Sequence, residues 1–366
     1  MRITIVQGAF LPVPPLKGGA VERAWQGLGE SFVAKGHSVT HISRSFKGLP
    51  DRETINGVSH LRVPGFDTPS SMLKLKLMDL RYSLRVKRVL PDADILVTNT
   101  FWLPILVRGQ RTGKLCVHVA RLPKGQMRFY RHAARLQAVS TTAQKAIASE
   151  CPECEPMIRV LPNPLDQKWF QPTKVARVPQ QISYIGRVHP EKGIELLIQA
   201  VSEVKDRASL QIVGPYDSAA GGGGSDYKAK LDQIALNAGV PIEWVGPVYD
   251  VEQLVAKYDE TDIFVYPSVA ETGETFGLAP LEAMARGCRT IISSLECFLD
   301  FAEPGKNCLQ FDHRTDGVSN LAQCLRSALD MNDEDMRERA RATAQKFDLD
   351  KVSDMYLADF EEIMRS

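Results

Sequence analysis

Two carboxylates eight positions apart are the strongest chemical feature of this sequence. Glu274 and Glu282 lie in the segment GETFGLAPLEAMARG, residues 273–287. The apolar run that ends at Pro267 predicts a buried strand. The residues from Pro280 favour a helix, because proline is tolerated in the first helical turn and leucine, alanine and methionine propagate helices well. The segment therefore predicts a strand, then a loop that carries Glu274, then a helix that carries Glu282.

The start of this predicted helix can bind an anion. The first N–H groups of a helix have no partner inside the helix, and together with the helix dipole they attract phosphate. Backbone amides near Phe276, Gly277 and Leu278 would therefore suit a phosphate, while the two carboxylates would suit hydroxyl groups. This combination suits a nucleotide-sugar. The alternative is a capped helix with solvated glutamates, since the dipole favours acidic residues near a helix start in any case.

A second segment repeats the pattern of strand, glycine turn and helix. It reads SYIGRVHPEKGIELLIQAV and covers residues 183–201. Arg187 and Lys192 stand at the two ends of the turn, and Gly186 leaves room for a close approach of a ligand. Because arginine offers a planar fork of donors and lysine a compact charge, this turn predicts a clamp for a diphosphate.

These segments, in this order, resemble a known family, the retaining glycosyltransferases of family 4, which have the GT-B fold. The resemblance also rests on VLPNPLDQKWFQP at residues 160–172 and on GGAVE after the first predicted strand, and it covers nearly the whole chain. It implies an α/β protein with two Rossmann-like domains whose parallel sheets face each other across a cleft. The implied activity is transfer of a sugar from a nucleoside diphosphate sugar to a hydroxyl acceptor.

The resemblance implies roles for individual residues. Glu274 would bind hydroxyls of the donor sugar, Glu282 would bind the ribose hydroxyls of the nucleotide, and the two cations of the glycine turn would stabilise the leaving diphosphate. The implied catalytic residues are Glu274, His118, Arg187 and Lys192. The implied donor-binding residues are Gly18, Gly19, Gly186, Arg187, Lys192, Glu274, Phe276, Gly277, Leu278 and Glu282.

Three of these residues lie in the first half of the chain. Gly18 and Gly19 would form a loop whose backbone approaches the diphosphate. His118 matches the family's histidine at a strand end that faces the cleft, although Val119 stands where the family has an aspartate. The match is therefore partial, and a structural role for a lone histidine stays open.

The expected reaction occurs on one face of the sugar, and the departing phosphate accepts the proton of the acceptor hydroxyl. A covalent sugar–enzyme intermediate is the alternative, but the sequence offers no obvious nucleophile for it. No metal or other cofactor is expected. Asp92 and Asp94 resemble the Asp-x-Asp of metal-dependent transferases, but they open a predicted strand far along the chain from the diphosphate clamp.

The length and the alternation of strands and helices predict two α/β domains with parallel sheets. The chain has 366 residues, which is long for one domain and comfortable for two. The predicted parts are an acceptor-binding domain at 1–165, a linker at 166–181, a nucleotide-sugar-binding domain at 182–348 and a final helix at 349–366. By the resemblance, the final helix crosses back to the first domain.

The net charge of +1 hides an asymmetry between the two halves. Residues 1–170 contain 25 Lys and Arg against 12 Asp and Glu, and residues 71–135 alone contain 14 against 3. A basic amphipathic helix in this region can lie on an anionic membrane, so the predicted acceptor is anionic or lipid-linked. The alternative is a core-facing helix whose polar side is basic. Nucleic acid is not expected, because no stacking aromatics or recognition motif accompany the charges.

The sequence also predicts the location of the protein and the nature of two loops. No apolar run approaches the roughly 18 residues of a membrane span, so a cytoplasmic protein is expected, with peripheral association at the inner face of the membrane. Seven cysteines do not suggest a disulfide framework, and CPEC at residues 151–154 is expected in a surface loop. The run AAGGGGS at residues 219–225 lacks the ending of a phosphate-binding loop and is expected to be a mobile surface loop.

The expected role is a transferase in bacterial glycolipid, cell-envelope polysaccharide or glycoconjugate synthesis. Two other functions stay open. A sugar-nucleotide epimerase shares the two-domain architecture, but the Glu-x7-Glu segment argues against it. A non-catalytic sugar-nucleotide-binding protein would have a decayed site. The four charged residues Arg187, Lys192, Glu274 and Glu282 are all present and argue against decay.

Overall fold

The protein divides into two compact units in the computed structural model. Unit 1 comprises Met1–Asp166 and Phe347–Ser366, and unit 2 comprises Gln167–Lys346. The predicted α/β fold class is confirmed, since each unit contains a sheet flanked by helices. The structure describes residues 1–69, 71–173, 175–331 and 334–365.

Strands and helices alternate along both units. The strands are β1 (Arg2–Val6), β2 (Ser38–Arg44), β3 (Arg52–Ile55), β4 (Val58–Val63), β5 (Ile95–Thr98), β6 (Lys114–Val119), β7 (Arg135–Ala138), β8 (Ile158–Val160), β9 (Gln181–Ile185), β10 (Ser209–Val213), β11 (Ile242–Gly246), β12 (Ile263–Tyr266), β13 (Arg289–Ser293) and β14 (Leu309–Phe311). The α-helices are α1 (Ala20–Ala34), α2 (Met72–Val89), α3 (Leu103–Leu106), α4 (Thr141–Glu150), α5 (Ile194–Ser202), α6 (Gly224–Ala238), α7 (Val251–Glu260), α8 (Leu278–Ala285), α9 (Gly317–Asp330), α10 (Glu334–Ala344) and α11 (Leu349–Arg365).

The sheet of unit 1 has the strand order β3-β4-β2-β1-β5-β6-β7-β8 within the described residues. All neighbouring strands are parallel except β3 and β4. Central strands such as β5, with the sequence ILVT, are buried along their whole length. This is the pattern expected of parallel strands that are covered by helices on both faces.

Helix α11 packs on α1 and belongs to the core of unit 1. Tyr356 contacts Trp25 edge to face at 5.1 Å, and Phe360 contacts Phe32 in the same way at 5.9 Å. Edge-to-face aromatic pairs of this kind add to the free energy gained by burying apolar surface. The final helix is therefore held in unit 1 by its apolar face.

The sheet of unit 2 has the order β11-β10-β9-β12-β13-β14, and its neighbouring strands are parallel in the part of the chain that the structure describes. The chain leaves β9 toward β10 on one side, and it later returns to place β12 on the other side. Ligands of parallel α/β sheets bind at such a switch point, beyond the carboxyl ends of the strands. The two segments singled out in the sequence follow β9 and β12, so they meet at this point.

The prediction of a surface loop for CPEC is wrong. Cys151 and Cys154 are buried and form a disulfide with each other. Cys151 lies directly after α4 and donates its N–H to the Ile147 carbonyl, and the following residues 152–157 form a 3-10 turn against α4. The prediction failed because it judged the pair by its composition and not by the turn that packs it against α4.

Candidate active site

The glycine turn after β9 contacts the loop after β12 very closely. Gly193 ends the turn with φ 67°, and a Cβ atom at this position would lie 2.1 Å from the Pro267 carbonyl oxygen. Glycine is therefore the residue that fits here, both for its positive φ and for the space. This approach brings Lys192 to Glu274, with 2.7 Å between Nζ and Oε2. One cation of the predicted clamp and the first carboxylate thus form a largely buried ion pair.

Two hydroxyl groups also lie within hydrogen-bond distance of the Glu274 carboxylate. The Tyr266 hydroxyl lies 3.2 Å and the Ser268 hydroxyl 3.3 Å from Oε2. Burial, followed by the Glu274 charge, raises the pKa of Tyr266 well above its usual value, which keeps the phenol a hydrogen-bond donor. The Lys192 ammonium also lies over the Tyr266 ring, 5.4 Å from its centroid. The sequence analysis missed both hydroxyl residues, although YPS at the end of the predicted strand was the available signal.

Arg187 stands on the same turn but has a different carboxylate partner. Its guanidinium donates to the Glu191 carboxylate at 2.9 Å and to the Gly221 carbonyl at 2.6 Å. The side chain remains about half exposed. At Gly186, an added Cβ would lie 2.8 Å from the Tyr184 hydroxyl. The two cations predicted as a clamp are therefore both present on this turn, and each one is neutralised by a neighbouring glutamate.

The glycine run at residues 219–225 is part of these surroundings. The N–H groups of Gly222, Gly223 and Gly224 donate to the carbonyls of Asp217, Val188 and Tyr216. The run thus folds into a hydrogen-bonded turn that leads into α6 and contacts the glycine turn after β9. The sequence analysis expected a mobile surface loop here, because composition alone does not reveal these backbone partners.

Helix α8 begins beside this pair of segments. Gly277 is its N-cap at φ 86°, and a Cβ there would lie 2.4 Å from the Phe298 ring. Phe276 is buried, edge to face with Phe301 at 5.8 Å. No backbone hydrogen bond from the N–H of Gly277 or Leu278 is recorded within the described residues, as expected at a helix start. These two amides can therefore receive an anion.

Glu282 lies one turn further along α8 and is only 6% exposed. Its Oε2 accepts a hydrogen bond from the Tyr258 hydroxyl at 2.9 Å. Burial, and then the Glu282 charge, raise the pKa of Tyr258 well above its usual value. Glu282 is thus a buried, hydrogen-bonded residue and not a solvated helix glutamate.

The predicted glycines of unit 1 precede α1. Gly18 and Gly19 have φ 74° and 111°, and a Cβ at Gly19 would lie 2.2 Å from the Glu22 carboxylate. Burial raises the pKa of Glu22, while its own backbone N–H and the Arg121 charge act in the opposite direction. A buried carboxyl group that the sequence analysis did not consider therefore lies directly against Gly19.

His118 lies on β6 in the core of unit 1. It packs edge to face on Trp25 at 5.2 Å, and its ring nitrogens have no hydrogen-bond partner in the described part of the chain. Burial lowers the pKa of His118 to about 3, so the ring is neutral at neutral pH. A general base works best with a pKa near the working pH, and this environment therefore disfavours that role.

Unit 2 matches the sequence of a known protein family. Residues 166–347, nearly the same segment as unit 2, match the family described as Glycosyl transferases group 1. This segment is a group 1 glycosyltransferase domain. The lipopolysaccharide 1,2-N-acetylglucosaminetransferase of Salmonella typhimurium is 23% identical to it over 395 residues, covering 100% of this chain and 98% of that protein. With this domain and with glycosyltransferase relatives along its length, the protein is a glycosyltransferase enzyme.

Solved structures confirm the predicted GT-B fold. Sucrose-phosphate synthase of Thermosynechococcus elongatus superposes with a TM-score of 0.82 at 18% identity, covering 100% of this chain and 99% of that one. HepE of Anabaena, solved in complex with UDP-glucose, has a TM-score of 0.75 at 17% identity, covering 99% and 100%. None of the helices that the structure describes is long and apolar enough to span a bilayer.

Proposed function

We propose that this glycosyltransferase moves a sugar, with retention, from a nucleoside diphosphate sugar to a hydroxyl acceptor, in bacterial glycolipid, cell-envelope polysaccharide or glycoconjugate synthesis. The observation that carries the proposal is the meeting of a turn with two cations and a loop with a carboxylate at the switch point of the unit 2 sheet. This is where parallel α/β sheets bind nucleotides. The UDP-glucose bound to HepE and the lipopolysaccharide in the Salmonella relative's name support it.

In this proposal, the two cations of the turn stabilise the leaving diphosphate. The bond between the sugar C1 and the phosphate oxygen breaks, a bond from C1 to the acceptor oxygen forms on the same face, and the departing phosphate takes the acceptor proton. Lys192 and Arg187, rather than a metal ion, neutralise the charge that develops on the diphosphate. The amides at the start of α8 bind its oxygens. Glu274 accepts hydrogen bonds from sugar hydroxyls, and Glu282 accepts them from the ribose.

A panel of nucleotide-sugars tests the proposal. UDP-, GDP- and ADP-linked hexoses are screened by thermal shift, since a ligand that binds only the folded protein stabilises it by about 2.7 kcal/mol at 100 times its Kd. The stabilising compound is then incubated with hydroxyl acceptors, and the products are identified by mass spectrometry. Free nucleoside diphosphate with a glycosylated acceptor of retained anomeric configuration is the expected result. An epimerised nucleotide-sugar, or no stabilisation by any member of the panel, would contradict it.

We also propose that unit 1 uses α2 to bind an anionic membrane surface or a lipid-linked anionic acceptor on it. Asp79, Tyr82, Ser83 and Val86 are the buried residues of this helix. The remaining surface carries apolar side chains next to basic ones, and Leu73 is 80% exposed. Exposed leucines are not explained by a helix whose apolar side merely faces the core. The other exposed residues of this surface are Met72, Lys74, Lys76, Leu77, Arg81, Leu84, Lys87, Arg88 and Val89.

Sedimentation with vesicles measures this interaction. Each basic residue near an anionic surface contributes about 1 kcal/mol, so replacing Lys74, Lys76 and Lys87 by alanine is expected to weaken binding to phosphatidylserine vesicles by about 10²-fold. Binding of the wild type is expected to fall with salt. A control variant replaces Lys205, Lys230 and Lys306 of unit 2, which removes the same charge elsewhere. Equal binding to neutral and anionic vesicles, or equal loss in the control variant, would contradict the role of α2.

A further inference from the structure

We propose that Tyr266 and Ser268 are positioning residues that hold Glu274 with one oxygen, Oε1, directed to the donor sugar. The inference rests on the proposed function. It starts from an asymmetry between the two oxygens of this carboxylate. Oε2 accepts hydrogen bonds from the Lys192 ammonium and the Tyr266 hydroxyl. The Ser268 hydroxyl lies 3.3 Å from Oε2 and 3.3 Å from the Glu191 carbonyl, so its one proton serves one of these two acceptors at a time. For Oε1, the described residues provide no recorded hydrogen bond.

Tyr266 and Ser268 are themselves fixed in place. The Tyr266 ring stacks on Tyr184 and packs edge to face on Phe298, both at 6.0 Å between centroids. The Ser268 backbone carbonyl accepts a hydrogen bond from Ser293 at 2.6 Å, and Ser268 itself is fully buried. Side chains whose own conformations are locked by packing can hold a neighbour within the narrow range that a binding site needs. The side chain of Glu274 is therefore held by the end of β12 and the buried start of the loop that follows it.

A carboxylate held in this way has a defined chemical preference. A carboxylate oxygen only accepts hydrogen bonds, so the ligand group at Oε1 must be a donor. A hydroxyl satisfies this condition, whereas a phosphate oxygen placed there would meet a like charge. Glu274 thus separates the two ends of a nucleotide-sugar. The sugar hydroxyls lie at Oε1, and the diphosphate lies toward the basic turn, where Lys192 is shared between the two.

The phenol hydroxyl can be removed without changing the packing of the ring. Tyr266→Phe is expected to lower kcat/KM for the nucleotide-sugar that gives the largest shift in the panel by about 10- to 10²-fold, because a hydrogen bond to a charged group is lost. The Kd of the same nucleoside diphosphate without sugar, measured by calorimetry, is expected to stay within twofold. Ser268→Ala is expected to act in the same direction. Tyr227→Phe is the matched control, since its buried hydroxyl has no hydrogen-bond partner among the described residues.

A double-mutant cycle then tests whether Tyr266 acts through Glu274. If it does, Tyr266→Phe adds less than twofold to the loss in a Glu274→Gln background, because interacting residues are not additive. Additive losses, a Tyr266→Phe variant within twofold of the wild type, or an equal loss of nucleoside diphosphate affinity would overturn the inference. A wild-type protein that binds no nucleotide-sugar would instead overturn the proposed function and the inference with it. Circular dichroism of each variant excludes unfolding as the cause.

Discussion

Lys192→Ala is expected to reduce sugar transfer by about 10²- to 10³-fold, the loss typical of removing one preorganised contact to a group that gains charge in the transition state. The substitution also leaves the Glu274 carboxylate without its cation in a largely buried place. An additional loss of about 1 to 3 kcal/mol in the free energy of unfolding is therefore expected. Transfer is measured as nucleoside diphosphate release, affinity by calorimetric titration with the nucleoside diphosphate, and stability by urea unfolding.

Arg187→Ala and Lys230→Ala distinguish the effect of a lost charge on sugar transfer from its effect on the free energy of unfolding. Arg187 is half exposed, and its partner Glu191 is accessible to water, so this variant is expected to lose about 10²-fold in transfer with little change in unfolding. Lys230 pairs with Glu195 on the surface of unit 2 and is expected to change neither quantity. Unchanged diphosphate affinity in both Lys192→Ala and Arg187→Ala would contradict the prediction that these two residues bind the diphosphate.

Short-range signals in the sequence predicted the elements around the site. The apolar run before Pro267, the glycine turn at 186–193 and the helix-forming residues after Pro280 each produced the expected strand, turn or helix. These signals are local because proline and glycine constrain the backbone at their own position, and apolar runs reflect burial of a single element. The α/β class followed from their alternation.

These local signals did not predict contacts between segments that are distant along the chain. Lys192 and Glu274 are separated by 82 positions, and they meet because β12 pairs with β9 while β10 and β11 lie on the other side. The order of strands along the chain does not give their order in the sheet. The sequence pointed to two cations as a diphosphate clamp, whereas each one is paired with a glutamate. Lys192 pairs with the distant Glu274, and Arg187 pairs with Glu191 four positions along the chain. The roles carried over from the family for these residues stay predictions.

Burial was a second property that residue types alone did not reveal. His118 was singled out because its position matched a strand end, but the Trp25 contact and its low pKa follow from packing in the unit 1 core. The disulfide between Cys151 and Cys154 was missed because it depends on how the turn after α4 folds. In both cases a polar or reactive side chain was judged without its surroundings.

Glu274→Ala and Glu282→Ala are expected to fail in different ways. Glu274→Ala is expected to abolish transfer, a loss of more than 10³-fold, because the sugar is no longer oriented at the diphosphate. Its affinity for the nucleoside diphosphate alone is expected to change little. Glu282→Ala is expected to weaken nucleoside diphosphate binding itself by about 10-fold or more, since hydrogen bonds to a charged acceptor are lost. Calorimetry with the nucleoside diphosphate and product assays with the full donor measure the two effects separately.

A glutamine variant distinguishes the proposed contact of Glu282 with the ribose from the packing of Glu282 inside unit 2. Glu282→Gln keeps the size of the side chain and an oxygen for the Tyr258 hydroxyl, so it is expected to remain folded while it loses the charge offered to a ribose. Glu252→Ala, on the exposed surface of α7, serves as the control for removal of a negative charge and is expected to bind and turn over like the wild type. Equal effects of Glu274→Ala and Glu282→Ala on nucleoside diphosphate affinity would show that the two carboxylates do not divide sugar and nucleotide between them. A loss confined to transfer in Glu274→Ala, together with weakened nucleotide binding in Glu282→Gln, would instead assign the sugar to the loop after β12 and the ribose to α8.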